Sequence, residues 1–147
     1  MRVYCDPSAL VKLYIQEAGS AEVLALFADG RNPILLNELQ DLEIRNGLRQ
    51  KVLRGEIAES QAIAGLRLMD DDCIAGTVLR KSVEWSAVYR EAEKLSRRHS
   101  IRQVCRAFDL LHVAIAAVSE VGRFATADGE QAKLARAVGL KVVDFSR

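Results

Sequence analysis

Four carboxylates in this chain stand where a carboxylate needs a reason. Asp109 lies in "RAFDLLHVAIAAVSE", residues 106–120, beside Phe108, Leu110, Leu111, Val113 and Ile115. The segment predicts a helix rich in Ala and Leu, with an apolar stripe at 108, 111, 115 and 118. An acid on a helix that folds by burial needs a partner. Positions 112 and 113 are His and Val, so no cation follows one turn later. Three sources stay open: Arg106 three residues before, water, or a cation from outside the chain. Asp6 directly follows "MRVYC", Asp128 follows "FAT" two residues on, and Glu43 lies within "LNELQDLEIRNGLRQ".

Each acid also has a local explanation. Asp6 before Pro7 reads as a helix N-cap followed by proline at the first helical position. Asp128 opens "DGEQ", so Gln131 completes a capping-box pattern. Glu43 falls on an amphipathic helix, whose solvated face is an ordinary home for Glu. Asp109 would meet the positive end of its helix. The combination says more than the parts. Two unit charges ~4 Å apart repel by about 4 kcal/mol at an effective dielectric of 20. Clustered acids therefore persist only where a proton or a cation relieves them. An all-oxygen set suits Mg²⁺ or Mn²⁺, whereas two histidines and three scattered cysteines give a zinc site little to build on.

The elements that must position these acids alternate between strand and helix. "MRVYC" predicts a strand, "DPSALVKLYIQE" a helix, and "AEVLALFADG" a second helix closed by Gly30. "NPILLN" predicts the next strand, and Asn37 caps a helix over 38–53 that Gly55 stops. A helix over 58–71 leads to a strand in "TVLRKSV", and Ser86 caps "AVYREAEKLSRRH". After the Asp109 helix come a strand in "RFAT", a helix in "EQAKLARAVG" and a last strand in "LKVVDF". The class is α/β: one domain over 1–147, a three-layer α/β/α sandwich with a mainly parallel central sheet of about five short strands. Such sheets bind ligands beyond the carboxyl ends of their strands, where Asp6 and Asp128 both fall.

Composition narrows the partners. A net charge of +1 rules out global polycationic attraction, so a phosphate partner would be held by local features. The cysteines, Cys5, Cys73 and Cys105, are odd in number and lack a CxxC, which points to a reduced, cytoplasmic setting. Neither a leader nor a membrane-spanning run is expected. GxGxxG and GxxxxGK[ST] are both absent. A phosphatase of the haloacid dehalogenase type would need a second Asp two residues after the first, where this chain has Ser8. A receiver domain would need paired acids after the first strand and a lysine after the last parallel strand, and neither is evident.

Four stretches, in order, resemble the motifs of PIN domains. "VYCDPSALVKLY" is similar to the opening motif, with the acid ending the first strand. "LNELQDLEIRNGLRQ" resembles the second, its glutamate corresponding to Glu43 rather than Glu38. "RAFDLLHVAIAA" resembles the third, with Asp109 and His112 in D-x-x-H spacing, and "FATADGEQAKLARAVGLKVV" resembles the fourth. The size and the "DPSALVKLY" opening look most like VapC-type toxins of toxin–antitoxin pairs. The resemblance implies a Mg²⁺- or Mn²⁺-dependent endoribonuclease, usually a homodimer, silenced by a cognate antitoxin. It carries the catalytic acids onto Asp6, Glu43, Asp109 and Asp128, with Asp6, Asp109 and Asp128 as metal ligands. It also suggests that helices around 58–98 meet a second subunit and an antitoxin.

Supporting roles follow from position. Ser8 and Thr126 offer hydroxyls near the acids, and His112 is expected to hydrogen-bond Asp109 and fix its rotamer. Cys5 reads as a small buried hydrophobe. Lys12, Arg45 and Arg49 are the candidates for steering an RNA backbone, with solvated helix faces as the alternative. Aromatic residues make up only 5%, so base stacking on a sheet is not the expected mode. A non-catalytic RNA- or protein-binding domain with the same fold is the competing expectation.

Overall fold

The computed structural model describes residues 2–146. Among them lie five strands and seven α-helices, and every strand pairing is parallel. The chain is of the α/β class, as its alternation of apolar runs and helical periods requires. The hydrogen bonds divide the strands into a ladder of three and a ladder of two. The expected single domain groups into two compact units, Met1–Asp6 with Val83–Arg147, and Pro7–Ser82.

The first unit holds the three-stranded ladder in the order β1 (Val3–Cys5), β4 (Arg123–Thr126), β5 (Lys141–Asp144). Tyr4 pairs with Phe124 and Cys5 with Ala125, while Thr126 pairs with Asp144. All three residues of β1 are buried, as are Phe124, Ala125 and Thr126. A strand covered on both faces is the ordinary state of a parallel sheet, and it explains why these runs do not alternate with polar residues. The register has one consequence for function. The Asp6 amide donates to the Ala125 carbonyl at 2.9 Å, so the chain leaves β1 beside the last residue of β4.

Three helices complete this unit: α5 (Trp85–His99), α6 (Ala107–Val118) and α7 (Gly129–Ala137). On α5, Val88, Ala92 and Leu95 are buried at i, i+4 and i+7, and the helix packs on α6. Its cap is Glu84 rather than Ser86. The Glu84 carboxylate accepts from the Ser86 and Ala87 amides, which moves the helix start back and puts Ser86 in the first turn. On α6 every residue from Asp109 to Ala116 is buried, while Phe108 is 54% exposed. The stripe anticipated at 108, 111, 115 and 118 is therefore not the buried face. Packing against both α5 and α7 leaves this helix almost no solvated side beyond its first turn.

The second unit pairs β2 (Ile34–Leu36) with β3 (Val78–Arg80), Ile34 opposite Val78 and Leu36 opposite Arg80. Between them run α3 (Glu38–Leu53) and α4 (Glu59–Ala75), the long crossover that a parallel pair needs. Asn37 caps α3 in a full box: its side chain accepts from the Gln40 amide at 2.9 Å, and Gln40 accepts from the Asn37 amide at 2.8 Å. The helix α4 runs four residues past the expected 71, to Gly76 at φ +80, a conformation that suits glycine. The first helix is shorter than anticipated. Only α1 (Pro7–Leu10) is α-helical, followed by a 3-10 turn over Val11–Leu13 and then α2 (Ser20–Phe27).

Two glycines in these helices carry opposite expectations. A Cβ on Gly65 of α4 would lie 2.5 Å from the Tyr14 carbonyl oxygen, whereas a Cβ on Gly47 of α3 would meet nothing within 4 Å. Gly47→Ala should raise stability by up to about 1 kcal/mol through helix propensity. Gly65→Ala should lower it by about 1–3 kcal/mol, because backbone must move to admit the methyl. Urea denaturation of the two variants checks both signs.

Candidate active site

The site grows from the carboxyl edge of the three-stranded ladder. Thr126, the last residue of β4, is fully buried and makes two hydrogen bonds with its hydroxyl. It donates to Asp6 Oδ2 at 2.7 Å and accepts from the Asp128 amide at 3.0 Å. Asp6 itself is 4% exposed, so its carboxylate depends on donors of this kind. Its neighbour Cys5 is buried, and burial first, then the Asp6 charge, hold its thiol well above the usual range. That thiol stays protonated and inert, as the sequence suggests.

Asp128 is the N-cap of α7: Oδ1 accepts from the Glu130 amide at 2.9 Å and from Gln131 at 3.1 Å. The anticipated capping box is only half formed. The Gln131 side chain does not reach back, and both its amide oxygen and nitrogen are buried without a partner among the described residues. The other oxygen of Asp128, Oδ2, accepts from Arg106 Nη2 at 2.9 Å. Arg106 Nε donates in turn to Asp109 Oδ2 at 3.1 Å. One guanidinium thus joins a carboxylate at the start of α6 to one at the start of α7. Asp109 adds its own local bond by accepting the Arg106 amide at 3.3 Å. Both partners raise the Arg106 pKa, the Asp109 hydrogen bond most of all.

Asp6, Thr126, Asp128, Arg106 and Asp109 therefore form one linked series inside a single unit. His112 lies in the same unit, but its placement corrects an expectation. Its Nδ1 is 2.7 Å from the Tyr4 hydroxyl, a buried hydrogen bond between α6 and β1, and it makes none with Asp109. The tyrosine was the missed residue. A phenol in a buried strand must find a polar partner, and that requirement was the available signal.

The remaining candidates belong to the second unit. Glu43 is half-buried on α3 and Ser8 is half-buried on α1. The Lys12 ammonium is 3.0 Å from Glu17 and also donates to the Ala18 carbonyl at 2.7 Å. Arg45 bonds Asp41 at 2.9 Å and Asp70, and the Asp70 bond is the main reason its pKa is raised. Arg80 shares Asp41 at 3.0 Å. Arg45, Arg80, Asp41, Glu38 and Lys81 line a cleft of about 450 Å³ beside the carboxyl ends of β2 and β3. Lys12 and Arg45 are thus engaged inside their own unit, whereas Arg49 is exposed. Arg80, which the sequence reading passed over, stands at the end of a strand too short to have been bounded by pattern.

The residues of the first unit suit a divalent ion by type. Asp109 and Asp128 offer hard oxygen donors and already turn one oxygen each toward a shared cation, the guanidinium. Among the described residues no three His, Cys, Asp or Glu side chains surround one common point. The fit rests on this pair, with Asp6 joined to it through Thr126.

Comparison with solved structures adds the fold. A chain of VapBC2 from Rickettsia felis, crystallised with a DNA fragment from their promoter, aligns over 98% of both chains with a TM-score of 0.69 and 14% identity. A chain of FitAcB from Neisseria gonorrhoeae aligns over 100% of this chain and 99% of its own, with a TM-score of 0.64 and 16% identity. The fold is PIN-like. At these identities the likeness concerns the fold alone. The sequence matches no family model and no curated protein at a significant level. No helix among the described residues is long and apolar enough to cross a membrane.

The threonine that ties Asp6 to Asp128 makes the site's construction testable. Thr126→Val keeps the shape and removes the hydroxyl, leaving a buried carboxylate short of a donor. It should cost about 1–3 kcal/mol, while Thr126→Ser should recover most of that. Chemical denaturation at neutral pH measures both.

Proposed function

We propose that this chain is a Mg²⁺- or Mn²⁺-dependent endoribonuclease that hydrolyses RNA phosphodiester bonds, the toxin of a type II toxin–antitoxin pair. The observation that carries the reading is the linked series from Asp6 to Asp109 at the carboxyl edge of a PIN-like fold. The likeness to a chain of VapBC2, a complex captured on promoter DNA, supports a cognate antitoxin as partner. A cytoplasmic homodimer belongs to the same proposal.

In this reading Asp109 and Asp128 hold the ion, with Asp6 beside them. A bound divalent ion supplies a lowered water pKa and charge neutralisation at the scissile phosphate. Thr126 orients Asp6 by donating to its Oδ2. The Tyr4–His112 bond ties α6 to β1 and so fixes the helix that carries Asp109. Glu43 would orient or deprotonate the attacking water, and Ser8 would support the acids or contact a phosphate. Among the described residues Arg49 is the basic candidate with no ion pair to leave first, and it is exposed.

One feature also favours the non-catalytic alternative. Acids neutralised by Arg106 need no metal to coexist, so a binding domain could retain them for structure. Cleavage of a mixed RNA pool separates the two readings. The wild type in Mn²⁺ should cut, EDTA should stop it, and Asp109→Asn should lose on the order of 10²-fold or more while remaining folded. Glu43→Gln should lose activity with metal binding retained. A folded wild type that binds Mn²⁺ nowhere and leaves every RNA intact would overturn the nuclease.

A further inference from the structure

We propose that Arg106 is a built-in cation that competes with the divalent ion for Asp109 and Asp128. The inference rests on the metal-dependent reading above. The guanidinium engages Oδ2 of both carboxylates, at 3.1 Å and 2.9 Å. Those oxygens are donors that a divalent ion would need at about 2.0–2.1 Å in the case of Mg²⁺. A carboxylate oxygen cannot serve a guanidinium and a closely bound ion equally, and the two cations repel. Asp128 Oδ1 already accepts two amides, so an ion entering at Asp128 displaces the guanidinium from Oδ2.

The structure makes that departure easy and leaves the carboxylates in place. The Arg106 side chain is 65% exposed, whereas those of Asp109 and Asp128 are 12% and 31% exposed. Arg106 is the N-cap residue of α6, so its side chain can swing into solvent without unwinding a turn. Exposed ion pairs are individually weak, and their loss is a small barrier. Each acid also keeps a backbone bond that does not involve the guanidinium. Asp109 accepts the Arg106 amide, and Asp128 Oδ1 accepts two amides of α7. Without metal, Arg106 relieves the repulsion between the two acids; with metal, the ion takes over that task.

The test uses Mn²⁺ alone as the probe. Its Kd is measured by calorimetry or by electron paramagnetic resonance for wild type, Arg106→Gln and Arg106→Lys, with melting in EDTA alongside. Removing a competitor raises the fraction of protein that is competent to bind. Arg106→Gln should bind Mn²⁺ about three- to tenfold more tightly while melting at a lower temperature in EDTA. Arg106→Lys, whose single ammonium cannot span both acids as the fork does, should fall between the two and serves if the glutamine variant folds poorly. Equal or weaker Mn²⁺ binding in both variants, with a wild type that binds Mn²⁺ and cuts RNA, would overturn the competition and leave the nuclease standing. A wild type that neither binds Mn²⁺ nor cuts RNA would sink both together.

Discussion

Much of the first unit turns on keeping like charges close without ionic collapse. Parallel strands end at the same edge, so β1 and β4 deliver Asp6 and, through a two-residue turn, Asp128 to neighbouring places. The helix α6 adds Asp109 at its first turn. Repulsion among such acids is worth kilocalories at protein dielectric, which is comparable with a sizeable part of a domain's net stability. The structure answers with two devices of different kinds. A buried hydroxyl, Thr126, links Asp6 to the Asp128 backbone, and an exposed guanidinium, Arg106, spans Asp128 and Asp109. The buried device is fixed by the register of the sheet. The exposed one is free to leave.

That division matters because burial sets how exchangeable an interaction is. The Thr126 hydroxyl sits in a fully covered position, where losing a partner strands a polar atom. Tyr4 and His112 form a second buried polar contact, tying the strand that precedes Asp6 to the helix that carries Asp109. Both contacts act as scaffolding. Gln131 shows the opposite condition in the same neighbourhood, with a covered amide whose oxygen and nitrogen find no partner among the described residues. Its backbone amide is claimed by Asp128, and the geometry that serves the Asp128 cap leaves the glutamine side chain unsatisfied.

Much of this was legible before any coordinates. The alternation of apolar runs with helical periods gave the α/β class, and Asn37 marked the start of α3 from its residue type alone. Arg106 was one of three named partners for Asp109, but nothing in one-dimensional spacing tied it to Asp128, twenty-two positions later. Long-range pairing of that kind is invisible to periodicity. Boundaries failed for local reasons: Glu84 outcompeted Ser86 because its longer side chain reaches two amides, and α1 broke into a 3-10 turn within a run that reads as helical throughout. The stripe on α6 misled because a helix buried nearly all round has no single apolar face to detect. The Tyr4–His112 bond eluded the sequence because each residue has several plausible partners until β1 and α6 are packed together.

Charge in the second unit is arranged on a different principle. Asp41, Arg45, Asp70 and Arg80 neutralise one another beside the β2 and β3 ends, and Lys12 is bound to Glu17. With 21 basic and 20 acidic residues the two signs nearly cancel, so the chain as a whole exerts little net attraction on a polyanion at a distance. Binding of nucleic acid through counterion release scales with the number of phosphates neutralised, so local cations rather than net charge would set that contribution. Under the proposed function an RNA would be held at short range, by an ion at the acids and by exposed cations such as Arg49. In that reading an ion bound at the acids would both neutralise them and add positive charge where the phosphate must sit, so substrate binding and chemistry would depend on the same event.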